Sequence, residues 1–146
     1  MAEAARRAAT AEPSINVKLL SAETTTGSDL LSADGFIFAT PENLAALSGP
    51  MKDFFDRSYY PALGCIEGRP YATMICAGSD GENAARQIAR IATGWRLRPI
   101  MEPLIVCTHA QTPEAILAPK SVGPADLARC AELGAAFAAG LDAGIF

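Results

Sequence analysis

Histidine is almost missing from this chain: His109 is the only one in 146 residues. That excludes a metal centre built from histidines. The four cysteines, Cys65, Cys76, Cys107 and Cys130, form no C-x-x-C pair. Their spacing speaks against a thiolate zinc site and for the reduced thiols of a cytoplasmic protein. Charge is sparse and nearly balanced, 12 basic against 16 acidic residues, for a net −4. A mildly acidic chain gives no electrostatic case for nucleic acid or for an anionic membrane surface. No apolar run approaches the roughly 18 residues of a spanning helix. The opening MAEAARRAATAEPS carries Glu3 and Glu12 and no apolar core, so it does not read as a signal peptide. The hydrolase motif G-x-S-x-G is absent as well, because Ser79 directly follows Gly78.

What remains is ordinary globular material, half of it hydrophobic, enough for one domain with a sizeable core. Residues 2–12, Ala-rich with paired arginines, read as a helix. Ile15-Asn-Val-Lys-Leu19 alternates, which predicts an edge strand with one covered face. In the turn TTTGSD, Ser28 or Asp29 could cap one helical turn through Ala33. Gly35–Ala39 and Tyr71–Ala77 are short, continuously apolar runs. They predict strands buried on both faces, as in parallel sheets. Between them Ser48 is a helix N-cap with Pro50 in the first turn. Met51, Phe54, Phe55 and Tyr59 follow on the apolar face of that helix, with Lys52–Asp56 and Asp53–Arg57 as i,i+4 pairs opposite. A second helix carries Ala84, Ile88, Ile91 and Trp95 on one stripe. Leu97–Thr108 contains a strand ending in Leu104-Ile-Val-Cys107, which Pro99 and Pro103 place at an edge. A last helix from Pro124 places Gly134 where close approach to the sheet is expected.

Strands alternating with helices predict a mainly parallel α/β sheet with helices on both faces. Ligands then sit at the carboxyl ends of the strands. Two loops leave such ends, residues 40–48 and 77–82. Thr40, Glu42 and Asn43 can hydrogen bond in the plane of a flat heterocycle, and Pro41 stiffens their turn. Gly78 and Gly81 let a ligand approach without a β-carbon in the way. Ser79 and Asp80 offer polar groups at the tip of a loop that opens a helix. The same residue types also serve in plain strand–helix connections, so composition alone leaves both readings open.

The order of the residues is more specific. T-P-E-N-x-x-x-x-S-G-x-x-K-x-F-x-D-R, from Thr40 to Arg57, resembles the second flavin loop and following helix of the flavodoxin-like superfamily. It is most similar to the NAD(P)H-dependent FMN reductase and quinone reductase branch. Gly68-Arg-Pro70 resembles the Gly-Lys-Pro that leads into the next strand there, and Ala77-Gly-Ser-Asp-Gly81 stands in the place of the third flavin loop. The resemblance runs from about Leu30 to the last helix. It implies a single flavodoxin-like domain over 1–146, a three-layer sandwich whose usual first central strand and phosphate loop are missing. The reading frame is therefore expected to continue upstream of Met1. The resemblance also implies FMN, with NAD(P)H as co-substrate, a small-molecule electron donor or acceptor, and a homo-oligomer. By the same carry-over, Thr40, Pro41, Glu42, Asn43 and Leu44 would meet the edge and face of the isoalloxazine. Ala77, Gly78, Ser79 and Asp80 would meet its far edge, and Ser48 and Gly49 would shape the first loop. No catalytic acid or base follows. The alternative is a cofactor-free α/β domain that needs an upstream strand or a partner.

Overall fold

An unbroken apolar run demands cover on both faces. In the computed structural model, which describes residues 1–146, the run at 70–77 receives it. The elements follow as α1 (Ala2–Ala9), α2 (Gly27–Leu31), β1 (Phe36–Asn43), β2 (Ala46–Leu47), α3 (Gly49–Ala62), β3 (Pro70–Ala77), α4 (Glu82–Gly94), β4 (Arg98–Pro99), β5 (Leu104–Cys107), α5 (Pro113–Leu117) and α6 (Pro124–Asp142). β1 and β3 lie side by side and parallel, from Phe36 opposite Tyr71 to Pro41 opposite Cys76. The far side of β3 pairs in parallel with β4 at its start and with β5 at its end. β4 and β5 thus act as one edge strand, interrupted between Pro99 and Pro103, as the missing proline donors require.

Helices cover both faces of the sheet. Ala72, Met74 and Leu104 pack against Ala5 of α1 and Cys130, Leu133 and Phe137 of α6. The opposite face buries Phe38, Tyr71 and Ile75 under Phe54, Phe55, Ile88 and Trp95. Ile75 and Ile88 are wholly buried, and each such side chain stabilises the fold by about 1.5–3 kcal/mol. The Phe55 ring meets Phe38 and Trp95 edge-on, with centroids 5.1 and 5.2 Å away. The expected three-layer, mainly parallel α/β architecture is what forms.

Several expectations need correction. Ile15–Leu19 is not a strand. Alternation makes a strand only when a neighbour accepts the ladder bonds; no strand pairs here, and Leu19 and Leu20 are about half exposed. The first helix stops at Ala9, where the Thr10 hydroxyl donates back to the Arg6 carbonyl. The N-cap of α2 is Thr26, whose N–H is accepted by Asp29. Gly134 does approach something closely, but that is α1: a β-carbon at 134 would overlap the Ala5 carbonyl. Tyr59 is partly exposed. α5 had no counterpart in the sequence reading. Finally, β1 does not end at Ala39; it runs on to Asn43 and folds back as a hairpin.

Candidate functional site

The stretch from 40 to 48, expected to be an open loop, is thus a two-residue β-hairpin. Glu42 pairs with Leu47 and Asn43 with Ala46. Leu44 and Ala45 form the turn, with φ of 51° and 59°. Two positive φ values give the primed turn that matches strand twist. Thr40 and Ser48 close the base of the hairpin. Both are buried, with their hydroxyls 2.9 Å apart, and Thr40 Oγ1 also accepts the Ser48 N–H at 3.3 Å. Ser48 then starts α3, whose Arg57 donates to the Ala22 and Thr25 carbonyls and pins that segment down.

The second loop is fixed from both sides. Gly81 has φ of +87° and is buried against Ile105, so only glycine fits there. Glycine has no side chain with which to cap α4. Acidic neighbours do so instead: Asp80 Oδ1 accepts the Glu82 N–H at 3.2 Å, and Glu42 Oε2 accepts the Gly81 N–H at 2.9 Å. The Glu42 bond joins the two loops. Two residues of α4 add to it: Asn83 Nδ2 donates to the Ala45 carbonyl, and Gln87 Oε1 accepts the Leu47 N–H at 3.0 Å. Asn83 and Gln87 were missed from the sequence. The signal available was two amides at i,i+4, beside an apolar stripe and half-buried here.

The sequence-derived residues therefore fall into groups. Glu42 and the 78–81 loop are brought together. Pro41 lines a cleft of about 180 Å³ with Ala39, Thr40, Met74, Cys76 and Met1. Asn43 and Leu44 project at the hairpin tip, exposed, as are Ser79 and Asp80. Thr40 and Ser48 turn their side chains inward. Gly49 lies in the first turn of α3 with open space around it. Ala77 is buried, its carbonyl accepting the Thr108 N–H at 2.9 Å. Beside the site, burial pushes the Cys107 thiol up, and the carboxylates of Asp80 and Glu42 push it further, so no thiolate nucleophile is prepared there.

The residues present fit the ring portion of a flat cofactor. A β-carbon at Gly78 would meet only the Ala110 carbonyl, at 3.6 Å, so the space beside that loop is open. Glu42 Oε1 is buried without a hydrogen-bond partner. All four cysteines are free, no group of histidine, cysteine and carboxylate side chains could hold a metal ion, and no helix is long and apolar enough to cross a membrane.

Comparison with known proteins agrees with this fold. The family described as NADPH-dependent FMN reductase matches residues 22–111. No curated protein matches the chain. Among solved structures, an archaeal flavodoxin superposes with a TM-score of 0.74 at 17% identity, over 96% of this chain and 87% of that one. A WrbA-like flavodoxin from Agrobacterium tumefaciens gives 0.61 at 19% identity, over 94% and 87%. The rubredoxin:oxygen oxidoreductase of Desulfovibrio gigas gives 0.74 at 16% identity; 99% of this chain covers 33% of that protein. At such identities the structures establish the fold, and the family match disfavours a cofactor-free domain. The chain belongs to the NADPH-dependent FMN reductase family, a flavodoxin-like, FMN-dependent oxidoreductase or electron-transfer flavoprotein.

Proposed function

We propose that the chain is a cytoplasmic reductase that takes electrons from NAD(P)H and passes them through FMN to a small-molecule acceptor, working as a homo-oligomer. FMN supplies hydride or single-electron transfer at its ring. The chain's own work is to bind and orient. Pro41, Glu42, Asn43 and Leu44 border the ring on one side, with backbone at Thr40. Ala77, Gly78, Ser79 and Asp80 border it on the other. Ser48 and Gly49 act indirectly, through the base of the hairpin and the start of α3. The N-terminus of α4, where Asp80 and Glu42 accept the Glu82 and Gly81 N–H groups, fixes the second loop beside the ring. The observation that carries this reading is the Glu42–Gly81 bond, which joins the two loops that the resemblance assigns to one ring. The test is single-turnover mixing of FMN-loaded protein with NADPH and with NADH. Bleaching of the flavin band by either supports the reading; no bleaching by either rules out the nicotinamide donor.

We further propose that the free edge of β1 takes one more parallel strand, which completes the sheet. From Phe36 to Pro41 only one edge of β1 is paired, and residues 15–20 run unpaired. Backbone donors and acceptors along a buried apolar strand call for partners. The Phe36–Ala39 amides should then be protected from hydrogen exchange in the working protein; fast exchange there would remove the proposal.

A further inference from the structure

The tip of the β1–β2 hairpin breaks a local rule. Its turn needs two residues with positive φ, for which Asn-Gly is the favoured pair. The chain instead places Leu44 and Ala45 there, at 51° and 59°. A β-carbon is disfavoured in that region, and leucine gains nothing locally because its side chain is completely exposed. Three side chains hold the turn in place nonetheless: Asn83 on the Ala45 carbonyl, Gln87 on the Leu47 N–H and Glu42 on the Gly81 N–H. A strained turn, tethered from outside and carrying a bare apolar side chain, is maintained for something it touches.

We infer that the hairpin is built to hold Leu44 against the flat ring of the bound cofactor, and that Asn83 and Gln87 are the positioning residues that keep it there. The inference rests on the FMN reading above. It adds that α4, through two amides that touch no ligand, sets the fit of the ring. Asn83 is the more important of the two, because it binds the carbonyl of a strained residue itself. Without its N–H donor the turn relaxes and Leu44 leaves the ring. A turn that holds its conformation unaided does not need Asn83.

The experiment measures FMN dissociation constants by fluorescence titration alongside melting temperatures. Leu44→Asn with Ala45→Gly supplies the favoured turn pair. It should raise the melting temperature by a few degrees yet weaken FMN binding about tenfold. Asn83→Asp keeps the shape and removes the donor; it should weaken FMN binding by about fivefold or more. Adding Ala45→Gly to Asn83→Asp keeps Leu44 and should restore the affinity, because glycine holds the left-handed turn untethered. A merely structural Asn83 would lower stability without that rescue of binding. Parent affinity in the Asn-Gly variant removes Leu44 from the ring. Failure of the rescue removes the positioning role of Asn83. Absence of FMN binding by the parent protein is a separate result, which overturns the cofactor reading and this inference with it.

Discussion

Glu42 of β1 and Gly81 at the start of α4 are 39 positions apart in the chain, yet Glu42 Oε2 accepts the Gly81 N–H at 2.9 Å. This bond makes one site of two loops. Glu42→Ala should leave the Gly81 donor unmet and cost about 1–2 kcal/mol of stability. Glu42→Gln keeps an acceptor and should cost less. Urea unfolding of both checks the order, and equal loss in the two would mean that the bond contributes nothing.

Gly134 of α6 lies directly against the Ala5 backbone of α1. Gly134→Ala puts a β-carbon into the Ala5 carbonyl, and the required shift of α1 should destabilise by about 1–3 kcal/mol. Gly49→Ala is the control, since nothing lies within 4 Å of its added carbon. Thermal melts should show a drop for the first and none for the second.

The two buried strands should respond unequally to charge. Ile75 is fully buried, so Ile75→Asp strands an unpaired carboxylate and should prevent folding. Ile37 lies in β1 and is only half-buried, so Ile37→Asp should give soluble, weakened protein. A cooperative melt from the Ile75 variant would contradict the assignment of β3 as central.

Acid should loosen α1. Glu3 accepts hydrogen bonds from Arg6 and Arg7, which hold its carboxyl down at about 2, from a usual 4.5. A carboxyl lowered by folding contributes fully above its unfolded value, and loses that contribution as pH falls from about 4.5 towards 2. Raising the pH further changes nothing at this group. Melting temperatures between pH 6 and pH 2 should fall less steeply for Glu3→Gln than for the parent; parallel curves would show that the ion pairs are idle.

The sequence made much of this legible, for physical reasons. Tyr71–Ala77 could be read because continuous burial leaves a continuous apolar run. The start of α3 could be read because Ser48 followed by Pro50 suits a helix start, although the Ser48 hydroxyl bonds Thr40 instead of capping the helix. The prolines at 99 and 103 announced an edge strand, but not that it breaks between them into β4 and β5. Ile15–Leu19 misled because periodicity reports a covered face and says nothing of whether a strand lies alongside to pair. The hairpin was hidden because Leu-Ala is not turn chemistry; tethers from Asn83, Gln87 and Glu42 hold it. Gly134 was correctly a point of contact, but one residue cannot say whether a sheet or a helix is on the other side. Within the site, residue types pointed to the two loops, while the bond joining them depends on a distance that no local pattern carries.

The most direct test of the whole account is an FMN titration of the purified protein beside its Gly78→Val variant. A β-carbon at 78 meets only ordinary contact with the Ala110 carbonyl, so the variant should fold. Its branched side chain would fill the space beside the second loop. The parent should quench FMN fluorescence saturably, and Gly78→Val should bind at least about tenfold more weakly with a nearly unchanged melting temperature. No saturable binding by the parent, or equal affinity in the two proteins, would contradict it.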